Sequence, residues 1–170
     1  SIEAHTNLSD YLERGGNLLL AQGRIKTNLQ VQQAFPIQSN IFDLIGDYGF
    51  SIEPNLVIDK ICGRVNVQQQ MGPIRMNVPM EYPLLPVIRS FNKNEAIVAG
   101  LEQIQLIFAS EIKQDSSSMG NINFVPLLFT SNQSGEMRGN FNLNPDPKQN
   151  PFIRMFNQSD KVLRDRKSVV

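Results

Sequence analysis

The chain has 170 residues and a mass of 19.2 kDa, which suits one hydrophobic core and predicts a single domain over residues 1–170. Its 16 basic and 16 acidic residues cancel, so charge gives no reason to expect nucleic acid or an anionic membrane surface as a partner. The single cysteine excludes an internal disulfide, and no apolar run approaches the ~20 residues that a membrane-spanning helix needs.

The first predicted elements are a helix and a buried strand directly after it. Ser9 and Asp10 can cap a short amphipathic helix over residues 8–13, and the glycine pair 15–16 ends it. The run LLLA at 18–21 is apolar without alternation, which is typical of a strand covered on both faces in a parallel sheet. A parallel partner would lie just upstream, where the sequence is too polar. We therefore expect the chain to be an excised piece of a longer protein.

The next elements are a second helix and a second buried strand. The stretch SNIFDLIGDYG at 39–49 places apolar residues at helical spacing behind a Ser/Asn cap, and Gly49 ends the helix. Pro54 then forces an extended entry into a short apolar run at 56–58, which ends at Asp59. This run predicts a buried strand.

A β-hairpin is predicted from Arg64 to Met80 because apolar and polar residues alternate strictly on both sides of QQQMGP. The alternating apolar residues are Val65, Val67, Ile74, Met76, Val78 and Met80. A two-stranded ribbon cannot keep such a face in water, so the protein body, a second copy or a partner must cover it. The polar tip favours a projecting hairpin, and the interaction surface then includes Met76 and Val78, with a homodimer as one outcome.

The proline-rich stretch EYPLLPVI supplies the second group of candidate interaction residues. Prolines preclude a regular helix here and fit a sheet edge or an extended arm. The candidates are Tyr82, Pro83, Leu84, Leu85 and Pro86. The alternative is that these side chains roof the core, as proline-interrupted coverings do in other α/β domains.

The rest of the chain is predicted as short elements followed by a loop-rich tail. A brief helix at 94–101 ends at Gly100, and strands follow at 104–108 and 122–130. Residues 131–170 form the tail, which is rich in Asn, Pro and Gly up to residue 160. Four apolar residues are expected to pin the tail onto the body: Phe152, Ile153, Met155 and Phe156.

Candidate catalytic and metal-binding residues are few. The only histidine, His5, lies in a polar chain start, where ends usually fray, so it is a poor general base. Cys62 lacks the glycine elbow that raises a nucleophile above a sheet, which favours a packed apolar role. Asp43 and Asp47 lie one helical turn apart, which is more typical of a solvated helix face than of a cation site. No catalytic, cofactor-binding or metal-binding residue is predicted.

The order of four stretches resembles a known bacterial family. The stretches are YLERGGNLLLA, NIFDLIGDYGFSIEPNLVID, NEAIVAGLEQIQLIFASEI and VPLLFTS. This order is similar to that of the auxiliary component of ABC-type transport systems implicated in gliding motility, the GldG-like proteins. The resemblance implies an α/β fold with a partly parallel sheet flanked by helices, akin to the class I glutamine amidotransferase (flavodoxin-like) fold. It also implies a strand and the start of a helix before Ser1, and a further strand whose first residues are the final KSVV.

The resemblance implies a function in transport. The domain would face the periplasmic side of the inner membrane, held there by membrane segments outside this sequence. The first hypothesis is a noncatalytic interaction module whose partners are the permease and ATPase of an ABC transporter, or envelope proteins. Two alternatives stay open: an amidotransferase-like hydrolase that uses Cys62, and a glycan or small-ligand binder that uses the amide-rich loops.

Overall fold

The structure is a computed structural model that describes residues 2–115 and 123–159. Within them the chain forms three α-helices: α1 (Ile2–Glu13), α2 (Ile41–Asp47) and α3 (Pro151–Gln158). The strands are β1 (Ile25–Asn28), β2 (Gln33–Pro36), β3 (Phe50–Ile52), β4 (Leu56–Asp59), β5 (Cys62–Met71), β6 (Ile74–Ile88), β7 (Ser90–Phe91), β8 (Ile104–Gln105), β9 (Ile112–Gln114), β10 (Leu128–Phe129), β11 (Ser134–Met137) and β12 (Phe141–Asn142). The predicted strand that begins at KSVV lies outside the described residues. The side chain of His5 is likewise not described.

All strand pairings among the described residues are antiparallel, so the predicted partly parallel sheet is wrong for this part of the chain. The hydrogen-bonded orders are β1–β2–β12, β7–β10, β4–β11, β3–β9 and β5–β6–β8. The prediction failed because two-sided burial does not require a parallel partner. Strand β4 is buried along its whole length, yet it pairs antiparallel with β11. The likeness to the glutamine amidotransferase fold stays a prediction.

The predicted buried strand LLLA is also wrong. Residues 18–21 pair with no strand in the described structure, and the side chain of Leu19 is 92% exposed. A continuous apolar run becomes a buried strand only where other elements cover both of its faces. The preceding helix ends where expected, because Gly15 adopts a φ of +85°, but it begins at Ile2, so Ser9 and Asp10 lie inside it.

The main core lies between β4, β6, β11 and α3. Its fully buried members include Leu56, Ile58, Leu84, Met137 and Ile153. Each such side chain contributes about 1.5–3 kcal/mol through removal from water. A smaller core packs α2 against β3 through Phe42, Ile45 and Ile52. The predicted helix at α2 and the predicted buried strand at β4 are both confirmed.

The segment 131–160, predicted as loop, contains β11, β12 and α3. Asn150 caps α3 because its side-chain oxygen accepts a hydrogen bond from the Ile153 N–H at 3.3 Å, and Pro151 occupies the first turn. Ile153 and Phe156 are buried, which confirms that they pin the tail, but Phe152 and Met155 are exposed. The strands were missed because Ser134 and Gly135 give no apolar alternation.

The remaining predicted elements are shorter than expected. The helix at 94–101 is only a 3-10 turn, Ala96–Val98, which is followed by Gly100 at a φ of +84°. The strand at 104–108 stops after Gln105, and Phe108 adopts a φ of +51°, which an extended strand does not allow. Among the described helices, none has the length and apolar content needed to cross a membrane.

Candidate interaction surface on the β5–β6 hairpin

The predicted hairpin is confirmed, and it is longer than expected. Its continuous ladder runs from Arg64 opposite Glu81 to Met71 opposite Ile74, and Gly72 turns the chain with a φ of +63°. In the described part of the chain, no third strand pairs with residues 64–81. At about 3.3 Å per residue, this ribbon extends roughly 25 Å from its base.

The ribbon has one apolar face and one polar face. Directly opposed residues share a face, and the pairs on the apolar face are Val65–Met80, Val67–Val78 and Gln69–Met76. Ile74, two positions before Met76 on β6, continues this face beside the turn. The pairs on the other face are Arg64–Glu81, Asn66–Pro79, Gln68–Asn77 and Gln70–Arg75. The one ion pair there, between Arg64 and Glu81, spans 3.4 Å and is largely exposed. Every charge on the ribbon therefore lies on the polar face.

Exposure of the apolar face increases from the base of the ribbon to its tip. Val65, near the base, packs against the main core, and Val78 is half-buried. Met76 is 50% exposed and Ile74, next to the turn, is 61% exposed. The outer part of the apolar face is thus open to water, which is unfavourable unless something else covers it.

The second group of predicted interaction residues is not on the surface. Tyr82, Leu84 and Leu85 are at most 9% exposed and belong to the main core, and Pro83 and Pro86 are buried as well. Strand β6 continues from the ribbon into the protein body, so its second half becomes a central strand. The Tyr82 hydroxyl donates to the Leu143 carbonyl at 2.5 Å, which satisfies its polar end. The prediction that these five residues form a surface is therefore wrong.

Cys62 lies at the base of β5 and is partly exposed. Burial, together with the nearby Glu81 carboxylate, raises the pKa of its thiol to about 11. The thiolate is the nucleophilic form, so this environment suppresses reactivity at neutral pH. The described residues also contain no group of three or more His, Cys, Asp or Glu side chains that could hold a metal ion, and Asp43 and Asp47 do not form one.

A charged cluster, which sequence reasoning missed, joins β3–β9 to β4–β11. Its members are Glu53, Asn55, Glu111, Lys113, Glu136 and Arg138. The Arg138 guanidinium lies 2.7 Å from Glu136 and 2.9 Å from Glu53, and Lys113 lies 3.3 Å from Glu53. No local pattern could have revealed the cluster, because Asn55 and Glu136 are 81 positions apart.

The electrostatics of this cluster indicate a structural role. The hydrogen bond from Arg138 lowers the pKa of Glu136 despite its partial burial. Burial opposes the ionisation of Glu53, but hydrogen bonds from Arg138 and Lys113 outweigh it and lower the pKa of that carboxyl too. These carboxylates stay ionised and paired at neutral pH, so they are unsuited to general acid catalysis, which needs a raised pKa.

A family model described as ABC-type uncharacterized transport system matches residues 1–166 of this chain. No curated protein matches the chain significantly, and neither does any solved structure. The matched range includes the whole β5–β6 hairpin and both cores.

Proposed function

Because this chain belongs to the ABC-type uncharacterized transport system family and is an auxiliary component of such a system, we propose that it acts as a noncatalytic docking module. In this proposal the apolar face of the β5–β6 hairpin binds a protein subunit of the same transport system. The observation that carries the proposal is the exposed outer half of that face, at Ile74 and Met76.

Three features of the face favour a protein partner. It bears no charge, whereas the opposite face carries all the charged residues of the ribbon. Charge depletion is typical of the centres of protein interfaces. Methionine supplies two of its side chains, at 76 and 80, and methionine adapts its shape to a partner surface. Membership in a transport family makes a transporter subunit the expected occupant.

The resemblance to the GldG-like proteins extends the proposal to location. We place the domain on the periplasmic side of the inner membrane, held by segments outside this sequence, with gliding motility as the process that the transporter serves. The support for this placement is the order of the four sequence stretches that carry the resemblance.

The test is co-purification of the full-length protein from detergent-solubilised membranes. In the variant Met76→Asp/Val78→Asp, two carboxylates stand on the apolar face, and burying each of them at an interface costs several kcal/mol. We expect the wild type to retain a permease or ATPase subunit and the variant to lose it.

The matched control is Gln70→Asp/Asn77→Asp, which adds the same charge to the polar face of the same ribbon. This control should retain the subunit. Equal retention by both variants, or no transporter subunit with the wild type, would contradict the proposal. Sedimentation of the wild type identifies the homodimer outcome, in which a second copy covers the face. Unfolding of the Met76→Asp/Val78→Asp variant, seen by circular dichroism, would instead place the ribbon in the core.

A further inference from the structure

A polar groove lies between the hairpin, the β1–β2 turn and the loop that follows β12. Its volume is about 370 Å³, within the range of small-molecule sites. The lining residues are Gln32, Asn66, Val67, Gln68, Asn144, Pro145, Asp146 and Gln149. Five of these eight carry a side-chain amide, which distinguishes the groove from the apolar pockets that usually bind small molecules.

One buried amide orients two of the others. Asn144 is 9% exposed, and its Nδ2 donates both to Gln32 Oε1 at 2.8 Å and to Gln149 Oε1 at 3.0 Å. Its own oxygen accepts from the Asp146 N–H at 2.8 Å. The Oε1 atoms of Gln32 and Gln149 both accept from Asn144, and this fixes the orientation of the two side-chain amides. Each amide still has its Nε2 group as a hydrogen-bond donor. Neither Nε2 group donates to another atom of the described residues.

Asp146 adds an acceptor to the groove. Its Oδ1 accepts from the Lys148 N–H at 2.9 Å, whereas its Oδ2 accepts no hydrogen bond within the described part of the chain. The lining contains no Lys or Arg, which disfavours an anionic ligand. A single carboxylate is also too few ligands for a divalent cation, which needs six or more oxygens.

We propose that this groove binds a neutral saccharide. Adjacent sugar hydroxyls are both donors and acceptors, so their oxygens can accept from the two oriented Nε2 groups while one hydroxyl donates to Asp146 Oδ2. Pro145 provides apolar surface for the C–H side of a sugar ring. This site is separate from the exposed outer part of the docking face at Ile74 and Met76, because neither residue lines the groove. Asn66 and Gln68 lie on the polar face of the ribbon, and Val67 is the one groove residue that belongs to the apolar face.

The experiment is a thermal-shift titration of the chain with maltose, cellobiose and chitobiose. A ligand that binds only the folded state raises the melting temperature, by about 3–5 °C when its concentration is about ten times the Kd. We expect at least one of the three disaccharides to produce this shift. Gln32→Ala and Gln149→Ala should each weaken its binding about three- to tenfold, because each removes one oriented donor from the groove.

The matched control is Gln70→Ala, since Gln70 lies on the same strand and face as Gln68 but outside the groove. Its affinity should equal that of the wild type. The proposal is overturned if none of the three disaccharides shifts the melting temperature, or if the Gln32 and Gln149 variants bind as the wild type does. Met76→Asp leaves Val67 and its partner Val78 in place and should leave saccharide binding unchanged, so failure here is distinguishable from failure of the docking function.

Discussion

Replacing Asn55 by alanine should destabilise the whole domain, because this one side chain ties together two pairs of strands. Asn55 has no exposed surface. Its Nδ2 donates to Glu136 at 2.6 Å and to Glu111 at 3.2 Å, and its Oδ1 accepts from the Glu111 N–H at 3.0 Å. Alanine removes all three hydrogen bonds and takes away the acceptor of a buried N–H.

The magnitude follows from these contacts. A hydrogen bond to a charged group contributes about 1.5–3 kcal/mol, and a buried N–H that loses its partner costs about 1–3 kcal/mol. Glu136 keeps its 2.7 Å ion pair with Arg138 and is partly exposed. The loss of its hydrogen bond from Asn55 should therefore cost a free energy near the low end of the range for a charged group. We expect Asn55→Ala to reduce the free energy of unfolding by about 3–4 kcal/mol, which corresponds to roughly 10 °C in melting temperature.

The assay is equilibrium unfolding in urea, followed by circular dichroism, with Asn77→Ala as the control. Asn77 is exposed on the polar face of the hairpin, and its replacement should change the free energy of unfolding by less than about 0.5 kcal/mol. A loss below about 1 kcal/mol for Asn55→Ala would refute the claim that this amide joins β4–β11 to β3–β9.

Three further predictions concern pH, the cap of α3 and the thiol. Glu53 and Glu136 have lowered pKa values in the folded state, so their stabilising contribution is complete above the unfolded value near 4.5 and is lost as the pH falls through the lower folded values. The urea midpoint should therefore fall with acidification below about pH 4.5, and less so in Glu136→Gln; a midpoint independent of pH there would contradict this. Asn150→Ala removes the cap and two hydrogen bonds to the carbonyls of Asn142 and Asn144, and should cost about 2–3 kcal/mol in the same assay; a cost under about 0.5 kcal/mol would rule out the capping role. The pKa of Cys62 is about 11, so iodoacetamide should alkylate this thiol at about pH 8 roughly a hundredfold more slowly than an exposed cysteine. An equal rate would contradict this prediction and would support the hydrolase alternative.

The elements that sequence reasoning predicted correctly carry their signal within a few residues. Helix α2 has an apolar stripe between a Ser/Asn start and Gly49, and both strands of the hairpin alternate around a glycine turn. Strand β4 is a short apolar run after Pro54. Local pattern was sufficient in these cases because the packing of each element follows from its own period.

The elements and surfaces that were predicted wrongly depend on distant partners. The exposed LLLA run and the buried Tyr82–Pro86 segment have similar apolar content, and only the tertiary neighbours decide which of them is covered. Strand β11 is polar in sequence and becomes a core strand because β4 pairs with it across more than 70 residues. The saccharide groove and the charged cluster likewise join residues from separate parts of the chain, so no spacing rule could find them.

The most direct test of the docking surface is site-specific photo-crosslinking from adjacent positions on opposite faces of the ribbon. Met76 lies on the apolar face and Asn77 on the polar face, and both are exposed. A p-benzoylphenylalanine at either position in the full-length protein is irradiated in intact membranes. We predict a crosslink from position 76 to a permease or ATPase subunit of the transport system and none from position 77. Equal crosslinking from both positions, no crosslink from 76, or a crosslink from 76 only to a second copy of the chain would contradict the account.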